Sequence, residues 1–218
     1  MALHHSPRIV TNGLVLCLDA GSRKSYGGTG NVWRDLAGSN NGTLTNGPTF
    51  SSANGGSIVF DGSNDYINLQ NPSALNLTEL TVSAWVRTTT NANQIILGKS
   101  YLTSYYLNIA PNVKVFSFWT TGSSLNSPVI QEIGGSAWCH VAGTINNTTK
   151  RIYFNGISVN SAAGATVGID SNSVFIGSWY NLNSFFNGNI SQVSIYNRAL
   201  TPAEIQQNYN ATKGRFKL

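Results

Sequence analysis

Apolar and polar residues alternate along most of this chain in short stretches, the period of a strand with one buried face. The pattern predicts strands at Leu14 to Leu18, Ser57 to Phe60, Tyr66 to Leu69, Leu80 to Thr88, Gln94 to Lys99, Tyr105 to Ile109 and Val113 to Trp119. It continues at Val129 to Glu132, Cys139 to Ile145, Arg151 to Phe154, Ile157 to Asn160, Val174 to Ser178 and Ile190 to Tyr196. Turn signals separate these runs, among them Asp61-Gly62, Asn146-Asn147, Asn155-Gly156 and Asn187-Gly188. Asn-Gly supports the positive φ values of a tight hairpin turn, so Phe154-Asn155-Gly156-Ile157 marks a hairpin. In the last strand Ile190, Gln192, Ser194 and Tyr196 are expected on one face and Ser191, Val193, Ile195 and Asn197 on the other. One helix is expected, from Pro202 to about Tyr209: Thr201 caps it, Pro202 suits its first position and Glu204 completes a capping box. Many short strands with turn punctuation imply an all-β, two-sheet antiparallel sandwich with a short C-terminal helix.

Between Gly21 and Asn54 the pattern gives way to Gly, Ser and Asn, interrupted only by Val32-Trp33-Arg34-Asp35-Leu36, where Trp33 is expected to pin the loop. No composition break divides the chain. We read residues 1–12 as a leader, 13–212 as one sandwich domain and 213–218 as a basic tail. Met1 to Thr11 and Lys213 to Leu218 are expected to be mobile in the isolated domain, as untethered termini are.

Charged residues make up only 10% of the 218, so Ser, Thr, Asn and Gly must cover the surface. The formal net charge of +5 is dispersed, and only Lys213, Arg215 and Lys217 cluster. That cluster reads as a solvated tail or as a contact for an acidic neighbouring protein; no basic stripe suited to nucleic acid is present. Met1 to Val10 lacks the apolar stretch of a signal peptide, and no apolar run reaches membrane-spanning length. Cys17 and Cys139 lie on different strands and are expected to be free buried thiols, with a disulfide left open.

Several segments, in order, resemble the laminin G-like domains of the concanavalin A-like lectin/glucanase superfamily. They are Gly13-Leu14-Val15-Leu16-Cys17-Leu18-Asp19-Ala20; Trp33-Arg34-Asp35-Leu36-Ala37-Gly38 with Asn41-Gly42-Thr43-Leu44; Phe60-Asp61-Gly62 with Asp65-Tyr66; and Thr81-Val82-Ser83-Ala84-Trp85-Val86. Trp138-Cys139-His140-Val141-Ala142-Gly143-Thr144 with Tyr153-Phe154-Asn155-Gly156, and the closing run from Phe186 to Ile205, complete the set. The resemblance covers roughly residues 13 to 208 and implies a jelly-roll sandwich. It makes Trp85, Trp138 and His140 residues of core motifs. The superfamily hosts lectins, glycosidases and adhesion modules, so fold does not fix function. The Ile9-Val10-Thr11-Asn12-Gly13-Leu14 opening and the Arg215-Phe216 ending are also similar to laminin G-like proteins of tailed phages, cyanophages among them. That likeness implies a non-enzymatic virion surface module, on capsid or tail, oligomeric in its assembly and docked on other virion proteins.

Candidate chemistry divides three ways. A retaining glycosidase needs two carboxyl groups about 5 Å apart. The three glutamates, Glu79, Glu132 and Glu204, have no acidic neighbour two or four residues away, and no nucleophile elbow is present. Asp61, Asn64 and Asp65 offer hard oxygen ligands in a turn, with Asn187 and Asn189 near the closing strand. Laminin G-like domains often hold calcium, which the resemblance implies for this region, although the family usually has Asp where this chain has Asn189. The competing reading is a set of Asx turns. Saccharide or partner binding needs aromatic rings with amides nearby: Trp179, Tyr180, Asn181 and Asn183 form the first candidate, Tyr101 and Tyr105 the second. A free calcium-assisted lectin is the alternative to the virion module.

Overall fold

The computed structural model describes residues 7–90, 92–100, 102–110, 114–163, 166–179 and 181–218. The strands are β1 (Leu14–Asp19), β2 (Val32–Trp33), β3 (Gly42–Thr45), β4 (Thr49–Ser51), β5 (Ser57–Asp61), β6 (Tyr66–Asn68), β7 (Leu80–Arg87) and β8 (Gln94–Gly98). They continue with β9 (Tyr105–Ala110), β10 (Val115–Thr120), β11 (Ser123–Asn126), β12 (Cys139–Ile145), β13 (Thr149–Phe154), β14 (Ile157–Ala163), β15 (Phe175–Ile176) and β16 (Asn187–Tyr196). Helix α1 (Pro202–Thr212) follows. All ladders are antiparallel and build two eight-stranded sheets. The first runs β14-β13-β12-β7-β16-β5-β4, and the second runs β11-β10-β9-β8-β15-β6-β3-β2. The long strand β16 takes β5 along its first half (Asn187↔Asp61 to Ile190↔Ile58) and β1 along its second (Gln192↔Asp19 to Tyr196↔Leu14).

Between the sheets lies one core, with Leu16, Phe60, Val82, Leu107, Phe118 and Ile195 among its buried side chains. The expected alternation in the last strand breaks at one point. A register shift between Ile190 and Gln192 moves Ile190 to the inner face, where it packs in the same core as Val193 and Ile195. A bulge of this kind inserts a residue and resets the parity that period-two counting assumes.

The first sheet is covered on its other face too. Ala142, Tyr153 and Tyr196 pack under Leu200 and Ile205, and Trp85 and Trp138 pack with Phe216 and Tyr209. Helix α1 has the expected capping box: Thr201 Oγ1 accepts from the Glu204 N–H, and Glu204 Oε2 accepts from the Thr201 N–H. Arg198 pairs with Glu204 at 2.6 Å, and this hydrogen-bonded pair holds the carboxyl down at about pKa 2.

Three expectations change on this framework. The tail is docked rather than mobile: Lys213–Phe216 form a 3-10 turn, Phe216 is 5% exposed, and its ring stacks on Trp85 at 4.1 Å. Arg215 pairs with Asp19 at 2.8 Å. The end of the leader is likewise tied down, since the Val10 N–H donates to Asn208 Oδ1 and Tyr196 Oη donates to the Val10 carbonyl. Residues 1–6 lie outside the described residues. Finally, Val129 to Glu132 is not a strand but part of an irregular connection, while strands form at Ser123–Asn126, outside the expected strands, and at Gly42–Thr45 and Thr49–Ser51, within the loop expected from Gly21 to Asn54. Their polar residues hid them; each lies at or near a sheet edge, where one side meets solvent.

Trp33 is fully buried, as its anchoring role requires. Cys17 and Cys139 are free and buried, and burial pushes their thiols up to about 11 and about 12, keeping both protonated.

Candidate functional site

Helix and tail pack on the first sheet, while the outer face of the second sheet is packed largely by its own side chains: Tyr106, Asn108, Ser117 and Phe175 are buried there and Trp119 is half-buried. Strand register lays one row of outward positions across it. Trp119 stands opposite Ser124 and Tyr106, Tyr106 opposite Gly98, Gly98 opposite Phe175, Phe175 opposite Asn68, and Asn68 opposite Thr43. The parity follows from the neighbours: Tyr105, Leu107, Phe116 and Phe118 point into the core, so Tyr106 and Trp119 point out.

Three rings meet at one end of this row. Tyr106 stacks on Trp119 with centroids 5.5 Å apart and planes 11° apart, and Trp179 leans on Tyr106 at 4.8 Å. Gly98 makes room for them: a Cβ there would stand 2.1 Å from Tyr106 Cβ. Tyr106 is 5% exposed, while Trp119 and Trp179 are half-buried, with Trp119 Nε1 itself shielded from solvent.

The loop carrying Trp179 is closed by its own backbone. The Trp179 N–H donates to the Asn183 carbonyl and the Leu182 N–H to the Trp179 carbonyl. Leu182 and Ser184 take positive φ, and the Ile95 N–H donates to the Ser184 carbonyl, fastening the loop to β8. Asn181 and Asn183 are exposed at its tip. Nearby amides continue inward, with Asn93 Nδ2 donating to Ser184 Oγ and Asn108 Nδ2 to Asn93 Oδ1. Half-buried indoles bordered by exposed amides can stack on an apolar ring face and hydrogen-bond to hydroxyls around it.

Of the expected platform, Trp179, Asn181 and Asn183 therefore gather in one place. Tyr180 and Tyr101 lie outside the described residues. Tyr105 does not belong: it is fully buried, its hydroxyl donates to the Leu75 carbonyl, and burial raises its pKa. It occupies the core parity of β9, and its neighbour Tyr106 has the outward place. Sequence reasoning missed Tyr106 and Trp119, although the alternation around each carried the signal.

The oxygen-rich turn between β5 and β6 is built from hydrogen bonds. Asp61 Oδ1 accepts from the Ser63 and Asn64 N–H groups, and Asp65 Oδ2 accepts from the Asp61 N–H. Those backbone donors hold the Asp61 carboxyl below its usual range, while burial raises that of Asp65. Asn187 Nδ2 donates to the Asp61 carbonyl, but Asn189 turns away to Ser57 Oγ at 3.0 Å. The Asn64 carbonyl accepts from Asn46 Nδ2. So Asp61, Asn64, Asp65 and Asn187 do meet, Asn189 does not join them, and two of the carboxylate oxygens already serve the turn. This donor set fits a calcium ion poorly. Among the described residues no group of three or more His, Cys, Asp or Glu is placed to hold a metal.

A match to the model of the concanavalin A-like lectin/glucanases superfamily spans residues 61–206. The chain belongs to this superfamily, as a laminin G-like domain. A search of curated proteins returned no sequence match. Among solved structures, it is similar to the binding domain of Paraclostridial Mosquitocidal Protein 1, at 15% identity and a TM-score of 0.72, covering 92% of this chain and 52% of that one. It is similar to domain 4 of AbnA, an extracellular GH43 arabinanase of Geobacillus stearothermophilus in complex with arabinotriose, at 18% identity and a TM-score of 0.69, covering 90% and 98%. A structure of botulinum neurotoxin type C, whose cell entry is described as dependent upon interaction with two ganglioside molecules, matches at 13% identity and a TM-score of 0.69, covering 93% and 52%. The chain thus spans about half the length of the toxin binding domains it matches. At these identities the likeness establishes a shared lectin-like fold.

Proposed function

We propose that this chain is a non-enzymatic carbohydrate-binding module that takes saccharide on the outer face of its second sheet. The observation that carries this reading is the cluster of Tyr106, Trp119 and Trp179, in which two half-buried indoles flank one ring and the exposed amides of Asn181 and Asn183 lie beside them. The arabinotriose complex of the AbnA domain and the ganglioside dependence of the type C neurotoxin support it by analogy. A role without catalysis is supported by the carboxylates: Glu204 is engaged by Arg198 and Asp61 by its own turn.

Trp119→Ala and Trp179→Ala test the reading. Each is expected to weaken binding to an arabino-oligosaccharide or to the best ligand of a glycan array by roughly thirtyfold, about 2 kcal/mol for a central aromatic anchor. Half-buried rings on an outer face leave little cavity when removed, so the melting temperature should hold. Binding unchanged in both variants rejects this face as the site.

Placement on a particle surface, as in a virion, is the second reading, and the edge strand β14 favours it. Its seven residues carry no charge or proline, and Ile157 is 65% exposed. Such an edge is available to another strand. Ile157→Lys should reduce incorporation into particles while glycan binding stays intact; full incorporation removes β14 as the docking element.

Calcium stands lower on the turn's geometry. We expect chelation to leave the melting temperature unchanged and added calcium to do the same. A rise of several degrees with calcium would show an ion held at Asp61 and Asp65.

A further inference from the structure

At the far edge of the second sheet the loop between β1 and β2 folds into two adjoining pockets. One, of about 310 Å³, is lined by Arg23, Ser25, Gly27, Thr29, Asn31 and Arg34. The other, of about 240 Å³, shares Arg23 and Gly27 and is walled by Tyr26 and Phe50, whose rings lie 5.5 Å apart. Arg23 and Arg34 are exposed, and neither makes an ion pair or side-chain hydrogen bond among the described residues. The neighbouring carboxylates are already engaged. Asp19 pairs with Arg215, and buried Asp35 accepts from the N–H groups of Cys17, Ala37 and Asn40.

The backbone adds to this unspent positive potential. Among the described residues the N–H groups of Gly27, Gly28 and Thr29 donate to no protein acceptor. The loop is nonetheless held in shape: Tyr26 Oη donates to the Gly30 carbonyl at 2.7 Å, and the Arg34 N–H donates to the Ser25 carbonyl at 2.8 Å. Gly28 and Gly30 take φ of 93° and 88°, values side chains resist. A Cβ at Gly27 would meet nothing within 4 Å, so the space above this residue is open. Two guanidinium groups, unpaired backbone donors and a fixed loop are the chemistry that holds an anion. The Tyr26 and Phe50 wall beside them suits the flat face of a sugar ring.

We infer that Arg23 and Arg34, with the backbone of Gly27 to Thr29, form a subsite for an anionic saccharide, carrying either sulfate or carboxylate. Val32 ends the outward row that starts at Trp119. Six strand spacings separate the two, roughly 29 Å along the sheet. The subsite is therefore distinct from the aromatic cluster and stands whether or not that cluster binds sugar.

The test is calorimetric titration of the full chain with a heparin-derived octasaccharide, an oligogalacturonate and a single-stranded oligonucleotide. Binding of the first identifies sulfate as the anion and of the second carboxylate; binding of both means the site reads charge alone. Arg23→Gln with Arg34→Gln should weaken the bound saccharide by about tenfold per arginine, the worth of a charge-assisted hydrogen bond. Gly27→Asp, which places a carboxylate in the open pocket, should do the same with the melting temperature unchanged. Arg151→Gln with Lys217→Gln removes the same charge elsewhere and should have little effect. Trp119→Ala should leave this binding intact, which separates its outcome from that of the aromatic face. Absence of binding to both saccharides, equal loss in the Arg151 and Lys217 control, or equally tight binding of the oligonucleotide overturns the inference.

Discussion

Removal of residues 213–218 is expected to lower stability by about 3–5 kcal/mol, the range measured for truncating a buried Phe. The reason is local. Phe216 fills the space between Trp85, at 4.1 Å and 26°, and Trp138, at 4.7 Å. Tyr209 of α1 stacks on the other part of Trp85 at 5.6 Å. Taking Phe216 away exposes two indoles of the first sheet and loosens the end of the helix. The Arg215 pair with Asp19 is partly exposed and contributes less, within about 1 kcal/mol. For a domain of this size each kcal/mol shifts the melting temperature by about 2–4 °C, so a fall of roughly 10 °C is expected by calorimetry. Phe216→Ala alone should reproduce most of it. A truncated chain that melts with the intact one would show the tail to be free in solution.

Acid should destabilise the fold through a single histidine. His140 is 3% exposed on β12, between the rings of Trp85 and Tyr209, and its Nδ1 has no partner among the described residues. Burial pushes its pKa down to about 4, against about 6.5 for a free histidine. The unfolded chain therefore binds a proton between these values that the folded chain refuses. The stability held by neutral His140 is complete above pH 6.5 and is lost as pH falls towards 4. The loss is of order 3 kcal/mol, at 1.36 kcal/mol per unit. Urea unfolding of wild type and His140→Gln between pH 7 and pH 4 checks this. The variant starts less stable but should lose less on acidification, since Gln has no proton to gain. Parallel curves would place the acid sensitivity elsewhere.

Much of the sandwich was legible because burial enforces alternation. The runs at Leu80 to Thr88 and Cys139 to Ile145 sit against neighbours on both sides and appear as the adjacent strands β7 and β12. The capping box at Thr201 reads the same in sequence and structure, since its partners lie within one turn. The short edge strands Thr49–Ser51 and Ser123–Asn126 were not legible, the second having only Leu125 to mark a buried face, whereas the edge strand β14 was read from Ile157 onward. Nor was the fate of the tail. Lys213, Arg215 and Lys217 look like solvated charge, and nothing local says that Phe216 has a slot between two tryptophans far away in sequence. The site was half visible. Trp179 with Asn181 and Asn183 stood out as a polar loop, but choosing Tyr105 over Tyr106 put the wrong parity on the surface. Alternation alone would have separated them. The Arg23 and Arg34 pocket left no signal, because it depends on how a glycine-rich loop folds back.

The central claim, saccharide on the outer face of the second sheet, can be read from the protein's five tryptophans. Each indole N–H gives its own signal in a nitrogen-15 correlation spectrum. Titration with the best glycan of an array should move the signals of Trp119 and Trp179 and leave those of buried Trp33, Trp85 and Trp138 in place. Saturation with Trp119 and Trp179 unmoved, or with shifts confined to Trp85 and Trp138 beneath the helix and tail, would contradict it.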